Sequence, residues 1–201
     1  MSWIEVIDYK KANSKLKKIY DRVKGPDNNI DNVLAIHSLR PHSLKGHMTL
    51  YKNVLHNSNN TLPKWYLEAI GIYVSSLNDC DYCVKHHFEG FKRLLKDDVK
   101  ANQFLAAAHN NSLSTFFQEK YLEGMHYSKK LTFEPSKITE HDIALLKEEG
   151  FVDGEILEIN QVVSYFNYVN WTVLGLGVNT DGDVLGLSPS ESDDPSNWSH
   201  N

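Results

Sequence analysis

Both cysteines of this chain stand three residues apart, as Cys80-Asp81-Tyr82-Cys83, with His86 and His87 one helical turn beyond the second. On a helix that spacing puts the two sulfurs on one face. The pair can therefore cycle between dithiol and disulfide, one thiolate attacking and its neighbour resolving. A helix N-terminus or a nearby imidazole lowers a thiol's pKa toward the value such attack needs. By spacing, either histidine reaches Cys83, His86 at i+3 and His87 at i+4, to hold a thiolate or carry its proton.

Glu68 stands alone among apolar neighbours in Tyr66-Leu67-Glu68-Ala69-Ile70. If buried there, the carboxylate needs a partner, and an imidazole from the next helix would supply one; the other reading is that it faces water. Zinc is a rival to redox chemistry. Cys80, Cys83 and one of His86 or His87 are suitable ligands, with Glu68, His109 or His126 as the remote fourth. No second Cys/His cluster closes such a site, so the leading expectation is a redox dithiol without metal or cofactor, and the last alternative is a pair of small buried thiols. His37, His42, His47 and His56 lack a closing metal spacing and read as loop or surface histidines. Gly175 and Gly177 have no strand-turn-helix context for a phosphate loop and read as the end of a helix.

The elements that position these residues follow from apolar spacing. The stripe recurs at helical intervals almost throughout and strand-like alternation is missing, so the fold class is all-α. Pro41 opens a helix carrying Leu44, Met48, Tyr51 and Leu55, which ends in the polar run His56–Asn60. Thr61 is the expected cap of the next helix, with Pro63 in its first turn and Leu67, Ile70, Val74 and Leu77 along it. Asn78 or Asp79 is expected to cap a third, placing both cysteines at its positive dipole end. Further helices are expected over Val99–Ala108, Ser114–Tyr127 and Thr139–Glu149, the last opened by a capping box, with a longer one after Asp153.

The chain has 201 residues, 41% hydrophobic and 23% charged, which suits one globular domain able to bury a core. We expect a single helical domain over 1–180 and an extended acidic tail over 181–201. The tail carries no Lys or Arg and would order only if Leu185, Leu187 and Trp198 find a groove on this or a neighbouring subunit. A net charge of −5 argues against a nucleic-acid partner, and Lys15, Lys17 and Lys18 read as a solvated face. No stretch has the length of a membrane span, and the opening residues lack a secretory signal, so the expected compartment is the cytoplasm. One echo stands out: Val74–Asn78 resembles Val163–Asn167 at an offset of 89 residues, a degenerate duplication that puts Val169, Thr172 and Leu176 opposite Cys80, Cys83 and His87.

The segment Glu68-x11-Cys80-Asp81-Tyr82-Cys83-x3-His87 resembles the carboxymuconolactone decarboxylase superfamily, in particular its alkyl hydroperoxidase D-like, peroxidase-related branch. Ser38-Leu39-Arg40-Pro41, Gly150-Phe151 with Glu155-Ile156, Tyr165–Asn170 and Gly186–Ser190 are similar to the same branch. The resemblance implies an AhpD-like helical fold, homo-oligomers such as trimers or hexamers, and a thiol-dependent peroxidase or disulfide reductase. It implies Cys83 as the sulfur that meets peroxide, Cys80 as its resolving partner, His87 and Glu68 as the proton relay, and an external dithiol as reductant. The chain departs from the pattern at Tyr82, where the relay of well-studied members has a histidine, and at Trp171, where related chains carry arginine. The alternative function is a non-enzymatic redox sensor or partner-binding oligomer.

Overall fold

The computed structural model describes residues 2–200; Met1 and Asn201 lie outside them. Those residues form helices α1 (Ser14–Val23), α2 (Asn32–Ala35), α3 (Pro41–Leu55), α4 (Lys64–Leu77), α5 (Asp81–Leu95), α6 (Asp98–His109), α7 (Glu119–Phe133), α8 (Glu140–Glu148) and α9 (Asp153–Gly175). Among the described residues there is no strand, only two isolated bridges, so the all-α reading holds.

Helix α4 organises the rest. Tyr66 through Ser75 are all buried, and a helix with no solvent face must sit inside a ring of others. It packs on α5, α9, α7, α6 and α3. It lies tightly against α9, where a Cβ on Gly71 would be 2.2 Å from the Phe166 ring. Any larger residue at 71 drives that ring outward, an overpacking that costs about 1–3 kcal/mol. Phe166 in turn packs edge-on against His87 at 4.6 Å, so the α4–α9 contact sets one wall of the site. Asn78 donates from Nδ2 to Oδ1 of Asn167 at 2.8 Å, joining two positions that the 89-residue offset makes equivalent.

Helix α3 runs as expected from Pro41, with Leu44, Met48 and Leu55 buried. The capping box of Thr139 with Asp142 opens α8, and α9 ends at Gly175 with Gly177 at φ +61°. Lys15, Lys17 and Lys18 are exposed on α1. Three expected helix starts differ. Thr61 does not cap α4; its N–H and hydroxyl both donate to the Glu158 carboxylate at 2.8 and 3.0 Å, and Pro63 takes the capping position. Neither Asn78 nor Asp79 caps α5: Asn78 is committed to Asn167, and Asp79 adopts φ +54° to reverse the chain, so Cys80 itself is the N-cap. The expected Ser114–Tyr127 helix is a short turn followed by α7, because the backbone is extended at Gln118, the residue before α7, and Phe116 and Phe117 pack on Phe104 ahead of that break.

Residues 179–200 form no helix and fold back over α1, α3 and α5. Trp198 is 2% exposed in a second, smaller core with Leu16, Tyr20, Leu44 and Met48, its ring under the Arg22 guanidinium at 3.6 Å. The buried Lys52 ammonium donates to the carbonyls of His56 and Ser190, and Arg93 donates to that of Gly186.

Candidate active site

Two helix ends make the site. Where α4 stops, the left-handed turn at Asp79 brings the chain back, and the Cys80 N–H donates to the Ser75 carbonyl at 2.9 Å. Cys80 and Cys83 then occupy the first turn of α5 as free thiols, with sulfurs 3.0 Å apart and exposures of 0% and 2%. The contact with the Cys83 thiol holds the Cys80 thiol below its ordinary range against the push of burial. Burial and the same contact push the Cys83 thiol well up. Of the two, Cys80 is therefore the thiol that ionises first, yet only Cys83 faces the cavity.

That cavity, of about 60 Å³, is lined by Cys83 together with Glu68, Tyr82, His86 and His87. It has room for a few waters or one small peroxide. Glu68 is 3% exposed and its Oε2 lies 2.7 Å from Nδ1 of His87, so the water-facing reading of this residue is replaced by a buried carboxylate–imidazole pair. Burial pushes the Glu68 carboxyl up, but the charge and hydrogen bond of His87 outweigh that and hold it below the usual range. Tyr51 stands edge-on to both His87 and His56, at 6.1 and 4.7 Å.

The histidines read as loop or surface residues need correcting. His42 is exposed, but His37, His47 and His56 are buried. His47 lies on the inward stripe of α3 one residue before Met48, and His56 follows Leu55 into the core, where neither ring nitrogen has a hydrogen-bond partner and Nε2 is 4.0 Å from Glu68. Burial drives both His47 and His56 down to about 3. Each is neutral in the folded chain, while the unfolded chain titrates at an ordinary 6.5. Folding stability is therefore expected to fall as pH drops below 6.5 toward 3. Asp31, raised by burial to about 6 from 3.8, acts in the opposite sense over that narrower range. Two imidazoles outweigh one carboxylate, so urea denaturation should show a lower midpoint at about pH 5 than at about pH 7. An unchanged midpoint would contradict these burials.

A second group of polar residues, not foreseen from sequence, meets on the tail side of the cavity. Asp183 accepts the Tyr82 hydroxyl at 2.6 Å and lies 3.1 Å from Nε2 of His86, through the same Oδ2. Its two oxygens also accept the Asn32 N–H at 3.0 and 3.1 Å, at the start of α2. The Val33 N–H donates to the Tyr82 oxygen at 3.0 Å, and the Tyr82 and His86 rings stack at 4.5 Å. Burial, then Asp183, raise the Tyr82 phenol well above its usual range, so it stays protonated. His86, which competed with His87 by spacing, thus has a different carboxylate. Nothing in the sequence ties Asp183 to Tyr82 across 101 positions.

His109 and His126 are exposed on α6 and α7, and His126 pairs with Glu123 at 3.1 Å. Among the described residues no group of three or more His, Cys, Asp or Glu is arranged to hold a metal ion. No helix among them is long and apolar enough to cross a membrane. Val169, Thr172 and Leu176, the duplication counterparts of the dithiol and His87, carry no chemistry, though Val169 lines the cavity.

No protein-family model and no curated protein matches the sequence. Solved structures do match. An uncharacterized peroxidase-related protein from Ralstonia eutropha JMP134, with an alkylhydroperoxidase AhpD core, aligns with a TM-score of 0.77 at 20% identity over 89% of this chain and 92% of its own. A peroxidase-related protein from Silicibacter sp. TM1040 gives the same TM-score of 0.77 and 20% identity over 90% and 93%. The debrominase Bmp8 aligns with a TM-score of 0.66 at 15% identity over 89% and 90%. The helices, their order and these likenesses agree on one architecture: the chain has the AhpD-like helical fold.

Proposed function

We propose that this protein is a thiol-dependent oxidoreductase that reduces peroxides with the Cys80/Cys83 dithiol. The observation that carries the reading is a reduced cysteine pair, 3.0 Å apart at a helix N-terminus, one sulfur of which opens on a small cavity shared with the 2.7 Å Glu68–His87 pair. In this reading His87 takes the Cys83 proton and Glu68 stabilises the imidazolium that forms. The thiolate attacks one peroxide oxygen, the O–O bond breaks, sulfur is oxidised to sulfenic acid and the other oxygen leaves as alkoxide or hydroxide. Cys80 then attacks the Cys83 sulfur, an S–S bond forms, and water leaves. An external dithiol restores the pair by exchange. No metal or cofactor enters any step.

The compartment that fits is the cytoplasm, where thiols are kept reduced. A homo-oligomer is part of the same reading: Tyr168, Trp171 and Leu174 are 43%, 64% and 42% exposed on one side of α9. The test is titration of the reduced protein with hydrogen peroxide and an organic hydroperoxide, with thiols counted and product mass read at each addition. One disulfide formed per peroxide, regenerated by a dithiol over repeated cycles, is the expected result. Slow stoichiometric oxidation without regeneration would instead make the dithiol a sensor that switches a surface. A second reading has a specific support: Bmp8, in a cysteine-to-alanine form, is described in complex with 2,3,4-tribromopyrrole. A dithiol can reduce a carbon–bromine bond to carbon–hydrogen, releasing bromide and a proton as the disulfide forms, and Tyr51 and Tyr165 flank the cavity as aromatic walls. Incubation with a brominated pyrrole and assay for bromide decides that reading.

A further inference from the structure

Two carboxylate–imidazole pairs bear on the cavity, and the proposed function uses one. Glu68 and His87 line it on the α4 side; His86 lines it on the tail side, with Asp183 behind the ring. A thiol peroxidase must move two protons in opposite directions. One leaves the attacking thiol, and one must reach the departing oxygen, since an alkoxide or hydroxide is a poor leaving group unless protonated as the O–O bond breaks.

From this geometry we infer that His86, held by Asp183 of the tail, is the proton donor to the leaving oxygen, while Glu68–His87 serves the sulfur. The inference rests on the peroxide reading above and adds to it a catalytic acid, His86, and a positioning residue, Asp183. Nε2 of His86 is fixed on Asp183 at 3.1 Å, which orients the ring, leaves Nδ1 as the nitrogen that gives its proton, and sets a carboxylate against the charge a donor ring must carry. Side-chain exposures of 10% for His86 and 2% for Asp183 keep the pair out of bulk water, where its charge would be screened. Tyr82 cannot be the donor. Its hydroxyl already donates to Asp183 at 2.6 Å and its oxygen accepts from Val33, so the residue standing where related chains carry a relay histidine acts as a brace on the carboxylate.

The groups facing the pair are few. Asp31, buried on the chain leading into α2, is a second carboxyl on this side, and Nδ2 of Asn29 donates to it at 3.1 Å. His200 also lines the cavity, with Nε2 turned away to the Val23 carbonyl at 2.8 Å. No Lys or Arg is among the residues that line this cavity. In the step itself the Cys83 thiolate forms an S–O bond, the O–O bond breaks, and the electron pair left on the second oxygen takes the His86 proton, giving sulfenic acid, alcohol or water, and neutral His86. When Cys80 closes the disulfide, hydroxide leaves sulfur and takes the proton that His87 holds from Cys83, giving water, while the Cys80 thiol proton restores the His86 imidazolium.

The decisive comparison varies the need for a proton. Reduced protein is reacted in single turnover with hydrogen peroxide, whose leaving hydroxide needs one, and with methyl methanethiosulfonate, whose leaving sulfinate does not. In His86→Gln the ratio of the peroxide to the thiosulfonate rate constant is expected to fall about a hundredfold, and in the near-isosteric Asp183→Asn about tenfold. The thiosulfonate rate also reports whether each variant keeps Cys83 in place. An unchanged ratio in both variants, including the case where both rates fall together, overturns the inference and leaves Asp183 a structural clamp. Wild-type protein that reacts with the thiosulfonate but leaves peroxide untouched overturns the peroxide reading, and the inference with it; that outcome is seen before any variant is made.

Discussion

Cys83→Ser is expected to abolish peroxide-driven oxidation, slowing it by at least about a thousandfold, because a serine hydroxyl has no accessible anion at neutral pH and its attack would only replace one weak O–O bond by another. The effect is large because the cavity offers no substitute: Cys80 is fully buried and does not line it. Cys80→Ser has a different signature. Peroxide still reaches Cys83, but without a resolving thiol the product gains one oxygen atom and is trapped by a dimedone-type reagent. The order in which the two thiols ionise makes this pair of variants informative. In the wild type the 3.0 Å contact favours ionisation of Cys80 and keeps the Cys83 proton in place until a base removes it. Cys80→Ser removes that contact and lets the Cys83 thiol answer to His87 alone. If Cys80→Ser abolished oxidation and Cys83→Ser retained it, the roles of the two sulfurs would have to be exchanged.

Glu68→Gln is expected to lower the single-turnover peroxide rate about a hundredfold, since His87 loses the anion that orients it and balances its positive form. Stability should change as well. Removing one member of a buried, hydrogen-bonded charge pair costs about 3 kcal/mol or more. The pH dependence carries the sign. The Glu68 carboxyl lies below its ordinary 4.5 in the folded chain, so its contribution is present above 4.5 and is lost as pH falls through the lower, folded value. Glu68→Gln should therefore narrow the gap to wild type in acid and show the full deficit near neutrality, by urea denaturation at each pH. A deficit independent of pH would mean that packing, not charge, is what Glu68 supplies.

The dithiol, the helix that carries it and the two neighbouring histidines were legible because each depends on residues within one or two turns, where spacing fixes geometry. The helices themselves were legible for the same reason, from Pro41 to the capping box at Thr139. What could not be read was set by residues far apart in the chain. Asn78 is a good capping type, but Asn167 claims its amide. Thr61 is another, and Glu158 claims its donors. His47 and His56 look like surface residues by type; their burial is decided by neighbours on α9 and α4 that local pattern does not show. Asp183 is one of several acids in a tail with no periodicity, and only the folding of that tail over α5 singles it out.

Under the proposed function, that folding also bears on how the oxidised cysteine pair would be reduced again. With both sulfurs almost wholly inaccessible and Leu187, Pro189 and His200 among the cavity walls, a reductant too bulky for the cavity would meet the disulfide only in molecules whose tail had lifted. The recharging rate is then the intrinsic exchange rate multiplied by an opening equilibrium. Lifting the tail breaks the Lys52 and Arg93 bonds to its carbonyls, withdraws Trp198 from its core and takes Asp183 from Tyr82 and His86. Oxidation by a molecule small enough to enter, and reduction by one that is not, thus draw on two different states of one chain, and amide hydrogen exchange in the tail measures the free energy between them.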